Sequence, residues 1–578
     1  MAGFWAMLRL IHCHKNKQPM RPVSSLVVSV LFAATLLASL PSFALEADEC
    51  KHLDWSVDDL AKFKQSQFPS DFYQPFAGKT IRHVRIETGP VFDRTNPKEN
   101  NWLYRSLDAL HINTKPQVIA SQLLFRAGEL LDEDKVLESA RILRTRGYLA
   151  SAYILPEAVC GDAVDLVVMT RDVWSTEPDT SLSRNGGENK SGFGISEGNL
   201  LGYGNELAIG YETVAERSAI NYDFTSPHIF NSHYYAHLSY ADKTDGKDKI
   251  VELAKPFYSL QTPYAYGVTS KTITEAEILR YGGVKRSAFL HSQERYEIFA
   301  GHALVVSDAA TTRLIGGVAM DEDEYAATAA TRTPLPADEV NRYPWLAVRK
   351  IENHFGAFKN LQQIQRVEDV LLGSDLYVRL GYAAENFRNE RDGLLMQAYY
   401  SDVLASGDNH LLQFKSSIAL KDYAGSAERF ALTQHLTYNH FLSDHSRWYV
   451  DAQWDYGKRL LPQDEFTLGG ASGLRGYPLE FQRGQERYLL TTEYRYFSDW
   501  HLFNLLRVGG VVFAETGKAW NSQIQTGQET LSDVGFGLRI SSSKARVGSV
   551  VHIDIAMPTA SREGIDSYQL VVSTLQTF

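Results

Sequence analysis

Arg475 stands alone in a run of small residues, Gly469-Gly470-Ala471-Ser472-Gly473-Leu474-Arg475-Gly476-Tyr477. Its guanidinium is a planar fork of N–H donors, always charged, that meets a carboxylate through two parallel hydrogen bonds. The glycines let the backbone turn tightly and pack closely. Leu474, Gly476 and Tyr477 frame the arginine, and such a frame aims a side chain at one particular partner. No other stretch has the spacing of a reaction centre. Gly470-Ala471-Ser472-Gly473 lacks the Gly-x-Ser-x-Gly order of a nucleophile elbow. The 17 histidines form no His-Glu-x-x-His, and the cysteines have no metal-ligand spacing. The expected chemistry is therefore recognition, with no catalytic residue, no metal and no cofactor.

Composition narrows the partner. Across 578 residues, 58 Lys+Arg against 69 Asp+Glu leave a net charge of −11. A nucleic-acid surface would need clustered basic charge, so nucleic acid is not an expected partner. Aromatics make up 12% of the chain, with 30 Tyr and 28 Phe. Such residues gather where a protein meets a membrane–water interface.

Residues 1–44 read as an export signal. Arg9, Lys15, Lys17 and Arg21 precede an apolar run from Val23 to Leu40, and Pro41-Ser42-Phe43-Ala44 places small residues at a cleavage site. Met20 offers a second start, since Met20 to Ala44 alone makes a compact signal. No other segment is long and apolar enough for a membrane helix. Cys13 leaves with the signal. Cys50 and Cys160 remain, an even number in an oxidising compartment, and are expected to form a disulfide.

Residues 45–78 are a polar N-terminal arm, in which Ser56 and Asp59 suggest a helix cap ahead of Leu60 and Phe63. Residues 79–175 read as a small α+β domain. Ile81 to Ile86 alternates as a strand; Val118–Phe125 and Asp134–Arg146 read as helices. In the second helix Val136, Leu137, Ala140 and Leu143 form an apolar stripe, and Gly147 stops it. Tyr148–Leu155 and Val164–Met169 follow as strands, turning at Cys160-Gly161-Asp162. Residues 176–190, polar and carrying Pro178, Gly186 and Gly187, read as a linker.

From residue 191 to 578 the pattern becomes short alternating segments broken by Gly, Asn, Asp and Pro. Trp448, Val450, Ala452, Trp454 and Tyr456 share one face; Asp451, Gln453 and Asp455 share the other. Leu376 to Tyr382 repeats this, with Arg379 on the polar face. An apolar face rich in interface aromatics, opposite unpaired charges, fits lipid outside and water inside. A membrane strand with its share of turns takes roughly 25 residues, so this stretch predicts a transmembrane β-barrel of about 16 antiparallel strands.

The loop Leu474-Arg475-Gly476-Tyr477 resembles the Leu/Val-Arg-Gly-Phe/Tyr signature of the Omp85 superfamily. Asn199-Leu200-Leu201-Gly202-Tyr203-Gly204 resembles its Asn-Leu-Leu-Gly-x-Gly pattern, which opens the first barrel strand. Phe513-Ala514-Glu515-Thr516-Gly517 resembles its Phe-x-Asp-x-Gly strand motif, with Glu for Asp. The order of elements in 79–175 resembles a POTRA domain, which sits in the periplasm before such barrels. The C-terminal Phe578 resembles the terminal aromatic of outer-membrane barrels. This resemblance implies that Arg475 folds into the lumen and pairs with Glu493, Glu515 or both. It also implies a Gram-negative outer-membrane location, lipid and client polypeptides as partners, and periplasmic chaperones or accessory lipoproteins as helpers. The implied function is insertion or assembly of clients through the barrel seam and POTRA strand addition, as in BamA/TamA-like proteins. Two-partner secretion of a large protein, or a passive channel, are the alternatives.

Overall fold

The computed structural model describes residues 50–576, apart from 54, 56–71, 93–96, 98, 215, 408, 424–428, 522–528, 545–548 and 562–563. The export signal, the cap at Ser56 and Asp59, and Phe578 lie outside the described residues.

A small α+β domain comes first. Its strands are β1 (Lys51–His52), β2 (Thr80–Gly89), β3 (Leu149–Cys160) and β4 (Ala163–Asp172), in the sheet order β1-β3-β4-β2. Its helices are α1 (Trp102–Leu110), α2 (Pro116–Ala120) and α3 (Glu133–Arg144). The apolar run at Val118 closes after one turn, so α2 is shorter than its sequence suggests. Asp132 caps α3 by accepting the Lys135 N–H at 3.3 Å. The α3 stripe of Val136, Ala140 and Leu143 is buried against Ile81, Leu149, Ile154, Val164 and Leu166 of the sheet. Cys50 and Cys160 form a disulfide that closes a sequence separation of 110 residues. It ties the chain next to β1 to the end of β3.

The rest of the chain forms a closed antiparallel barrel of 20 strands. The expected count of 16 is too low because the turns are tighter than supposed. Thr176–Asn185 and Glu188–Glu197 are joined only by Gly186-Gly187, and Tyr264–Tyr281 and Val284–Val306 only by Gly282-Gly283. All four glycines have positive φ. Two-residue turns need that backbone, which glycine adopts without strain.

The supposed linker is also corrected. Residues 176–190 are not a tether: Thr176–Asn185 is the first barrel strand, and the second begins at Glu188. The barrel thus starts at 176 rather than 191. Its polar sequence and Pro178 are compatible with a strand that pairs fully on one side only, where a missing N–H does little harm.

Burial along the strands is inverted relative to a water-soluble protein. Val512, Val534, Phe536 and Leu538 are 45–54% exposed on the outer face, while Glu515, Asp533, Arg539 and Asp554 are at most 5% exposed within. Trp448 and Trp454 point out, and Asp451 and Asp455 point in. Apolar side chains outside and charges inside are what lipid around a wet or filled lumen requires.

Connections alternate between two ends. At the domain end, the Lys115 N–H donates to Gly202 O at 3.0 Å and the Tyr104 hydroxyl to Phe503 O at 2.7 Å. The opposite, distal end carries Gly186-Gly187 and the loop from Arg459 to Gln485.

Candidate functional site

The arginine loop leaves the strand Ser446–Lys458 at the distal end, folds into the barrel, and returns to Glu486–Leu502. A short ladder of Phe466–Leu468 with Gln482–Gly484 forms its neck. At the tip Gly469, Gly470, Gly473 and Leu474 all have positive φ, with Gly473 at 98°. At φ 98° Gly473 takes a backbone that side-chain-bearing residues rarely adopt, and a Cβ there would press on Leu489 Cδ2 at 2.3 Å. Leu474 and Tyr477 are fully buried with Leu468, Leu489, Ala519 and Leu531. The Gly476 N–H donates to Asp533 Oδ2 at 2.7 Å, and the Tyr477 hydroxyl to Ser532 O at 3.0 Å. These contacts hold the tip against the wall.

Arg475 is thereby set among three carboxylates. Its Nη2 lies 2.6 Å from Glu493 Oε1 and 3.0 Å from Glu515 Oε1; its Nη1 lies 2.8 Å from Asp554 Oδ2. Its Nε and its backbone N–H also reach Glu515, at 3.2 and 2.9 Å. The guanidinium carbon sits 3.6 Å from the centre of the Phe513 ring, so a cation–π contact is added to the fork of hydrogen bonds. Two wall arginines share the load. Arg495 Nε donates to Glu493 Oε2 at 2.6 Å, and Arg539 Nη1 to Asp554 Oδ1 at 2.5 Å. The side chains of Glu493, Glu515 and Asp554 are 5%, 4% and 2% exposed. In so dry a site, breaking one member leaves an unmatched buried charge and costs about 3–5 kcal/mol.

Glu493 and Glu515 are therefore within hydrogen-bond reach of Arg475, together with Asp554, which the motifs did not single out. Asp554 and Arg539 each stand as a lone charge between apolar neighbours, in Ile553-Asp554-Ile555 and Leu538-Arg539-Ile540. That isolation marks a lumen-facing position on a membrane strand.

The Asn-Leu-Leu-Gly motif lies elsewhere. Asn199, Leu200, Leu201, Gly202 and Gly204 do not open the first strand. They form the domain-end turn between Glu188–Glu197 and Glu206–Val214. Asn199 donates from Nδ2 to Thr114 Oγ1 at 2.9 Å and accepts the Gly204 N–H at 2.7 Å. A Cβ on Gly204 would lie 2.6 Å from the Tyr148 ring, and one on Gly202 2.6 Å from Asn113 O. The motif thus joins the α+β domain to the barrel. Beside it, Tyr148 Oη and His228 Nε2 are 3.1 Å apart. Burial pushes the Tyr148 phenol up to about 12. Burial, with Arg146 nearby, pushes His228 down to about 4 and keeps it neutral.

Among the described residues, the last strand, Gln569–Gln576, is registered to the first at one pair, Val572 opposite Arg184. The same last strand pairs with Ser549–Pro558 from Ser549 to Ala556, and the first strand pairs with the second along its whole length. The arginine loop bridges this seam. On one side it touches Asp533 and Asp554; on the other, the Leu479 N–H donates to Gly186 O at 3.1 Å.

No family model and no curated protein sequence matches the chain. Among solved structures it is similar to CdiB from Escherichia coli, at 12% identity and a TM-score of 0.45, over 90% of this chain and 85% of that one. It is similar to CdiB from Acinetobacter baumannii at 11% identity and a TM-score of 0.42, over 88% and 76%. It is also similar to BamA from Haemophilus ducreyi lacking POTRA domains 1–3, at 12% identity and a TM-score of 0.35, over 86% and 84%. These likenesses are distant, and the chemistry of the site stands on its own contacts. What the chain itself presents is an arginine loop packed inside a closed antiparallel barrel, behind a small α+β domain.

Proposed function

We propose that the protein inserts or assembles client polypeptides in the Gram-negative outer membrane, with its α+β domain acting as a POTRA domain in the periplasm. The observation that carries this reading is the seam: among the described residues one registered pair joins its two strands, and the arginine loop spans it. Backbone left unpaired next to lipid is costly, so an extended client strand that supplies the missing hydrogen bonds is favoured there. The arginine loop keeps both sides of the seam in register while it is loose. The α+β sheet can present clients by strand addition. Lipid and unfolded clients are the partners, with chaperones or accessory lipoproteins delivering the clients. No step needs a nucleotide or a metal.

The test compares outer-membrane and secreted proteomes with and without the gene. Loss of several membrane barrels supports the reading. Loss of one large exported protein would replace it with two-partner secretion. No loss, with steady conductance of the purified barrel, would replace it with a passive channel.

A further inference from the structure

The barrel has a second internal segment, entering from the domain end. Between the strands Glu339–Glu352 and Gly373–Ala383 the chain makes a hairpin of Phe355–Lys359 with Val367–Leu371, a two-stranded sheet that pairs with no other strand among the described residues. It does not stay at the wall where it is rooted. Asn360 Nδ2 donates to Asp444 O at 2.8 Å, and Arg447 Nη2 donates to Leu361 O. Ile364 is buried with Phe497 and Val550. Phe497 shares the inward face of its strand with Glu493, and Val550 shares that of its strand with Asp554. In the barrel order Gly373–Ala383 and Ser549–Pro558 stand eight strands apart. The hairpin tip therefore crosses the lumen to the wall that carries the arginine site.

The tip is prefolded. Glu368 Oε1 accepts the N–H groups of Leu361, Gln362 and Gln363 at 3.1, 2.7 and 3.0 Å. Asn360 Oδ1 accepts that of Gln365 at 2.5 Å. The root is clamped by the α+β domain. Arg144 of α3 grips Asp369 through Nε at 2.7 Å and Nη2 at 3.1 Å. The Arg141 guanidinium lies 3.6 Å from the Phe355 ring centre, and from the turn the long Arg366 side chain reaches back to Leu149 O, with Nη2 at 3.3 Å.

The tip sits on a buried cation: Arg447 is 1% exposed and its guanidinium carbon lies 5.5 Å from the Phe497 ring centre.

We propose that the hairpin Phe355–Leu371 is a stopper for the domain-end mouth of the lumen, held shut by α3 and withdrawn when the α+β domain shifts. The arginine loop fills the lumen from the distal end and the hairpin from the other, both seated on one wall. This inference rests on barrel geometry alone and stands whether or not the seam reading does.

Planar-bilayer recordings of the full-length protein test it, each variant first checked for a folded barrel by heat-modifiable gel migration. Wild type stays mostly closed. Replacing residues 354–371 with a short Gly/Ser turn gives persistent large conductance. Ile364→Asp, which puts a charge into the tip's apolar seat, opens the channel in the same way. Arg144→Ala opens it roughly tenfold more often, as expected on losing one bidentate charge-assisted contact. Folded Ile364→Asp and hairpin-replaced proteins that conduct like wild type would overturn the stopper. Arg144→Ala matching wild type while those two conduct would overturn the domain clamp.

Discussion

Arg475 touches three carboxylates drawn from three different strands, and that is why it has no adequate substitute. Lysine offers one compact charge and no planar fork, so it serves one carboxylate. Arg475→Ala is expected to destabilise the barrel by about 3–5 kcal/mol, and Arg475→Lys by less. The temperature of the folded-to-unfolded gel shift reads both, and equal, negligible shifts would refute the pairing. Half of this site is legible in the sequence. Arg475 stands out because glycines frame it, whereas Glu493 and Glu515 enter only through the resemblance of their surroundings to a known family. Asp554 is 79 residues from Arg475. It arrives there through the stagger of four strands, which no local pattern encodes.

Among elements, the domain-end turns matter as much as the strands. His228 sits in the turn between Arg217–Ser226 and Tyr235–Lys243, against Tyr148 of the α+β domain. Its folded pKa of about 4 lies below the usual value for histidine. The released state therefore takes up the proton first. Docking is at full strength above about pH 6.5 and weakens as pH falls toward about 4. Limited proteolysis of the α+β domain is expected to speed up across that window, and His228→Gln to flatten the dependence. Unchanged proteolysis between pH 7 and pH 4.5 would contradict the buried neutral histidine. The sequence hides this junction because Asn199–Gly204 resembles a motif that opens a first strand, and that resemblance points away from a turn. Its glycines are needed for close approach to Asn113 and Tyr148 across the interface. The first strand is hidden for a related reason. Thr176–Asn185 carries Pro178 and few apolar residues, so it shows no alternation for the sequence to reveal.

At the scale of the whole molecule, class is legible and size is not. Alternation at Trp448–Tyr456 shows which face meets lipid, because a membrane strand cannot hide that pattern. The strand count depends on turn lengths, and residues such as Gly282-Gly283 shorten them below what segment spacing suggests. The lipid face has a direct consequence. Leu346 is 56% exposed, whereas Trp345 beside it is 6% exposed. Leu346→Arg is expected to cost about 2–4 kcal/mol if it lies near the bilayer midplane, where an exposed surface site in water would lose almost nothing. Urea titration of the protein in lipid vesicles measures it.

A covalent lock between the first and last strands tests whether clients are assembled at the seam. Arg184 and Val572 face each other in register. Antiparallel partners have Cα atoms about 4.5–5.5 Å apart, within reach of a disulfide. Arg184→Cys combined with Val572→Cys is expected to form a bond that stops client assembly in proteoliposomes, and reductant is expected to restore it. A locked barrel that assembles clients at the wild-type rate would contradict passage through the seam.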